Sequence, residues 1–140
     1  MDEFSQAAPP VSTLVAIRAA AHAEGTPPYE RVVFEFSGPV PLINVQYVPE
    51  LLGGGSGLPV TIAGQAILEL VMMPAQAHNN QGQGTAPARL EINLPDVQEI
   101  VSSGDFEGVV SYGIGLDHKT EFRLITLAQA SRVVVDFLNP

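Results

Sequence analysis

Asp105, Glu107 and Asp117 bracket the glycine-bearing run Gly108-Val109-Val110-Ser111-Tyr112-Gly113-Ile114-Gly115. If the three carboxyl groups met in space they could divide acid and base roles in a hydrolysis. That chemistry needs a cleft and carboxyl pKa values pushed apart, whereas turn and solvent-face positions account for the same residues without it. Nucleophilic hydrolysis has less to work with, because no Gly-x-Ser-x-Gly occurs. Ser56 sits in Gly53-Gly54-Gly55-Ser56-Gly57, which also lacks the Lys-Ser/Thr ending of a phosphate-binding loop and reads as a connection. His22, His78 and His118 are far apart in sequence and form neither HExxH nor His-x-His. Met72 and Met73 are neighbours, so on a strand they point to opposite faces, one into the core and one outward. With no cysteine there is no thiolate chemistry. No metal, cofactor or catalytic centre is expected.

The rest of the composition narrows the class of partner. The chain has 140 residues, 15 acidic and 6 basic, for a net charge of −9. That length suits one domain with a real core. Hydrophobic residues make up 46% and charged ones 15%, which excludes a disordered polyanion. The acidic balance argues against nucleic acid and against polybasic docking on anionic lipid. No apolar run reaches the ~18–20 residues of a membrane-spanning helix. The start, Met-Asp-Glu-Phe-Ser-Gln, carries neither a basic n-region nor an apolar stretch of the signal-peptide kind. Residues 1–13 read as a polar tether or a vector remnant, and 14–140 as the folded domain.

The elements that must position any site are strands. Period-two alternation with β-branched and aromatic residues is broken by turn residues every 8–14 positions. It predicts strands near Thr13–Ala21, Glu30–Ser37, Leu42–Val48, Pro59–Ile62, Ala66–Met73, Arg89–Asn93, Gly108–Gly115, Glu121–Leu127 and Arg132–Leu138. Gly25–Pro28, Ser37–Pro39, Gly53–Gly57 and Ser103–Asp105 supply the turns between them. Asp96-Val97-Gln98-Glu99 fits a helical capping box, with Val97, Ile100 and Val101 on one face, or a strand with Val97, Glu99 and Val101 on one side; the strand is preferred. Pro74–Pro87, rich in Ala, Gln, Asn and Gly, is expected to be a mobile loop. About nine short strands need two layers to bury their apolar faces, so the fold class is an all-β, two-layer β-sandwich.

Arg31-Val32-Val33-Phe34-Glu35-Phe36 is echoed by Arg132-Val133-Val134-Val135-Asp136-Phe137. Parallel pairing in matched register would set like charges side by side. Antiparallel pairing sets Arg31 opposite Asp136 and Arg132 opposite Glu35, with the apolar triplets on the other face. As exposed pairs these would contribute only ~0.2–1 kcal/mol each and would act mainly on register.

Four segments together carry a family resemblance: Tyr29–Phe36 with its Gly-Pro turn, Gly104–Leu116, Glu121-Phe122-Arg123-Leu124, and Arg132–Phe137. In this order they resemble the AMIN-like domains of actinobacterial, especially mycobacterial, lipoproteins and secreted proteins, over roughly Val15 to Leu138. The resemblance implies a non-catalytic β-sandwich of the kind that accompanies cell-wall amidases and envelope secretion proteins and places its host at peptidoglycan or other envelope structures. It also implies an extracytoplasmic, monomeric module, with a lipid anchor on the precursor although this chain has no lipobox cysteine, and with cell-wall glycan or an envelope protein as partner. Peptidoglycan itself bears carboxylates, so an acidic domain should touch it through arginines or neutral polar groups. Arg31, Glu35, Arg123, Arg132 and Asp136 are the candidate contact residues. The alternatives are a hydrolase built on Asp105, Glu107 and Asp117, or a carrier of lipid or another small apolar ligand in a cavity between the sheets, which a filled core excludes.

Overall fold

In a computed structural model, described for residues 11–138, ten strands form two five-stranded sheets. Residues 1–10 of the expected tether lie outside the described residues, and Ser12 and Thr13 already belong to the first strand. The first sheet runs β5–β1–β2–β10–β9, from β5 (Ala75–Gln76), β1 (Ser12–His22), β2 (Tyr29–Ser37), β10 (Arg132–Leu138) and β9 (Phe122–Leu127). The second runs β3–β4–β8–β7–β6, from β3 (Leu42–Val48), β4 (Ala66–Met73), β8 (Val109–Leu116), β7 (Val97–Phe106) and β6 (Arg89–Glu91). The all-β sandwich expected from the alternation is the observed fold.

The alternation determines what lies between the sheets. Leu14, Ile17, Val32, Phe34, Phe36, Val133, Val135 and Phe137 face inward from the first sheet. Leu68, Leu70, Met72, Ile100, Val110, Tyr112, Ile114 and Leu116 meet them from the second in one contiguous cluster. Phe34 and Tyr112 join the layers edge to face at 5.6 Å. Met72 is fully buried and Met73 exposed, as neighbours on a strand must be. Among the described residues the side chains of this cluster are buried against one another, which is the packing of a filled core.

Several expectations are corrected. Pro59–Ile62 is not a strand; beyond a single bridge between Leu52 and Pro59 it runs across β8, where Gly113 and Gly115 leave room for it. Ser103-Gly104-Asp105 is no turn but part of β7, bent by a bulge between Ser102 and Gly104. Asp96–Val101 enters a strand as preferred, but a bulge between Val97 and Glu99 puts Val97 and Ile100 inward and Glu99 outward. The three-residue spacing that imitates a helix face is therefore the signature of that bulge.

Pro74–Pro87 is pinned where a mobile loop was expected. Ala75 and Gln76 pair with β1, and His78 bridges to Gly84. The Asp105 carboxylate accepts bonds from the Ala77 amide at 3.1 Å and pairs with His78 Nδ1 at 2.7 Å. At the far end the Tyr112 hydroxyl donates to the Pro87 carbonyl at 2.7 Å. Burial, followed by the nearby Asp105 charge, pushes this phenol up to about 12. Tyr112→Phe should lower stability by ~1 kcal/mol in urea denaturation at neutral pH. Because the folded phenol is the weaker acid, wild-type stability should fall as pH rises from about 10 towards 12, a loss the Phe variant lacks. An unchanged urea midpoint in the variant would show that the hydroxyl supports nothing.

Candidate functional site: the arginine-bearing sheet face

The two outer faces of the sandwich differ. Segment 51–64 lies over the outer face of the second sheet: Leu51 is buried beside Gly113, and the Ala63 amide donates to Glu99 at 2.9 Å. Arg89 adds a bond to the same Glu99 carboxylate at 2.8 Å. The corresponding face of the first sheet carries instead three rows of side chains set by strand register. One row is Ala20–Arg31–Asp136–Arg123, the next Arg18–Val33–Val134–Ile125, and the third Ala16–Glu35–Arg132–Leu127. A valine–isoleucine strip thus runs between two charged rows.

The echoed strands pair antiparallel in the expected register, with Arg31 opposite Asp136 and Glu35 opposite Arg132. The expectation that these pairs are exposed is corrected for Asp136. Its side chain is fully buried, because Arg31 and Arg123 close over it from the neighbouring strands. Arg31 binds it through Nε at 2.8 Å and Nη2 at 3.0 Å, and Arg123 through Nη2 at 3.0 Å. Burial pushes the Asp136 carboxyl up, but the hydrogen bonds from Arg31 and Arg123 outweigh it and hold the group below the usual carboxylate range. Arg31 also lies over the Tyr29 ring at 5.3 Å, and His22 stacks on that ring at 4.7 Å.

The other charged row is wetter. Arg18 Nη1 donates to Glu35 at 2.7 Å, while Arg132 stands 4.0 Å from the other oxygen of the same carboxylate. The Arg18 hydrogen bond holds Glu35 below its ordinary value. Arg132 Nε is buried with no partner among the described residues. Between the rows, a recess of about 270 Å³ is lined by Arg18, Ala19, Ala20, His22, Arg31 and Val33.

The face therefore unites the five residues named from sequence, and it adds Arg18 and His22, which sequence reasoning missed. Their signal is weak because a bulge between Leu14 and Ala16 lets Leu14 and Ile17 both face inward. Counted in twos from Leu14, Arg18 would fall on the core side; the bulge turns it out.

The carboxylates proposed for hydrolysis do not assemble. Asp105 and Glu107 line one cleft at the β7–β8 turn, whereas Asp117 follows the opposite end of β8, about 25 Å along the strand. Both oxygens of Asp105 are already occupied by the Ala77 amide and His78. Among the described residues, no group of three or more His, Asp or Glu is arranged to hold a metal ion.

The arginine-bearing face thus sets guanidinium donors around an apolar strip. A family model described as the AMIN-like domain matches residues 12–139. The chain belongs to the AMIN-like domain family. No curated protein and no solved structure gives a match. The matched span covers both sheets, so all three rows of the arginine face belong to the AMIN-like domain itself. Among the described residues, no helix is long and apolar enough to cross a membrane.

Proposed function

We propose that this AMIN-like domain is a non-catalytic, extracytoplasmic binding and localisation module of the bacterial cell envelope, and that the arginine face is its contact surface. The partner is peptidoglycan or an envelope protein, the domain acts as a monomer, and a lipid anchor on an actinobacterial precursor is part of the same reading. One observation carries the proposal. In a chain of net charge −9, four of the six basic residues, Arg18, Arg31, Arg123 and Arg132, are gathered on one sheet face. Surface charge distributed for solubility alone has no reason to collect its few cations around a valine–isoleucine strip. The face can thus meet an anionic partner that the rest of the molecule repels.

Retention on purified sacculi tests it. The domain should be retained above an acidic control protein of similar size. Retention should weaken between about 50 and 300 mM salt, as exposed charge pairs are screened. Arg132→Gln should reduce it several-fold with the fold intact, because Glu35 keeps its bond to Arg18. Retention no better than the control would remove the glycan version in favour of an envelope protein partner. Retention unaffected by both salt and Arg132→Gln would move the contact off this face.

A further inference from the structure

The recess between Arg18 and Arg31 has the geometry of a small, separate subsite. Ala19, Ala20 and Val33 give its lining an apolar part, and Arg18, His22 and Arg31 a polar one. Arg31 is fixed by the paired bonds to Asp136 and by the Tyr29 ring, and Arg18 by its bond to Glu35. Each guanidinium nevertheless keeps donors: Nη1 of Arg31 and Nη2 of Arg18 have no partner among the described residues. The alanines of β1 make the space, since a longer side chain at position 20, directly opposite Arg31, would fill it.

We propose that this recess binds a monocarboxylate on a small apolar body, the class being the C-terminus of a peptide that ends in a short aliphatic side chain. Charge selects the valence. Across the whole face the four arginines outnumber Glu35 and Asp136 by two, and Glu24, paired with His22 at the rim, brings the surplus to one positive charge. A carboxylate neutralises that surplus, whereas a phosphate dianion would exceed it. Shape selects the body. Ala19, Ala20 and Val33 suit a small aliphatic group in a volume of about 270 Å³, and the lining has no hydroxyl to pair with a sugar ring. Pre-set arginines bind without first losing side-chain freedom, which favours a weak but specific contact. The recess deepens the envelope-binding reading by naming a ligand for part of the arginine face, and only the biological source of the peptide rests on that reading.

The test is an NMR titration of the ¹⁵N-labelled domain with N-acetyl-alanyl-alanine, its C-terminal amide, and glucuronate. The acid should give saturable shifts confined to residues 18–22 and 29–33, with a Kd of about 1 mM. The amide should bind at least tenfold more weakly. Ala20→Leu, on the exposed side of β1, should abolish the shifts while keeping the folded spectrum, and Arg18→Gln should weaken them severalfold. Equal binding of acid and amide, shifts centred on Arg123 and Arg132, or an Ala20→Leu variant that binds normally would overturn the proposal. Glucuronate binding as tightly as the peptide acid would overturn the peptide assignment. The titration contains no envelope material, so it fails or succeeds independently of the sacculus experiment.

Discussion

Replacing Arg31 and Arg123 together by methionine, which keeps side-chain cover over Asp136 but removes its cationic partners, should lower the folding stability of the domain by about 3–5 kcal/mol at pH 7. Each arginine alone leaves Asp136 one cationic partner; removing both strands a fully buried carboxylate with none. The surface position of the arginines hides this effect, since exposed ion pairs contribute little. What matters is the desolvated acid beneath them. The pH dependence identifies the cause. In the wild type the Asp136 carboxyl is held below its ordinary value, so its contribution is complete above about pH 4 and is lost as pH falls through the folded pKa. In the double variant burial acts unopposed and the folded pKa rises. The variant is then penalised most at neutral pH, and its deficit against the wild type should shrink as pH falls from 7 towards 4. Urea denaturation of both proteins across that range measures it. A deficit under 1 kcal/mol that does not change with pH would mean that water replaces the arginines and that Asp136 is not buried in the required sense.

Gly115→Ala should be nearly as damaging, by about 3 kcal/mol or more. A Cβ on Gly115 would lie far inside contact distance of the Ala63 carbonyl oxygen, a backbone atom with no rotamer to escape into. The crossing segment must lift, which loosens Leu51 from its buried seat and parts the Ala63 amide from Glu99. Gly113→Ala makes the useful contrast, because its Cβ meets chiefly the flexible end of Leu51, and a smaller loss is expected. Thermal unfolding of both variants decides the matter. Equal stability of wild type and Gly115→Ala would show that the segment does not rest on β8. Gly113 and Gly115 of Val109–Leu116 are explained by this crossing.

The comparison between the echoed strands and β1 shows how much of the site the sequence carries. Register between β2 and β10 follows from residue type alone. Only the antiparallel arrangement puts Arg31 by Asp136 and Arg132 by Glu35 while both valine–phenylalanine triplets face the core. Arg18 and His22 were not legible in this way, because the bulge in β1 shifts the face on which they lie without leaving a residue type that announces it. The same holds for Val97 and Ile100 in β7, whose spacing of three reads as helix until the bulge is seen.

By itself the sequence determined the all-β class, the inward alternation of the main core strands, the net negative charge, and the pairing of the two echoed strands. These are properties of period, composition and local charge, and they act over a few residues. Only the tertiary structure decided that Asp136 is buried, that segment 51–64 crosses one face of the sandwich, and that Arg18 joins Arg31 at a recess on the other. Those outcomes depend on bulges and on which distant segment lies over which sheet, and long-range packing sets them where no local preference can.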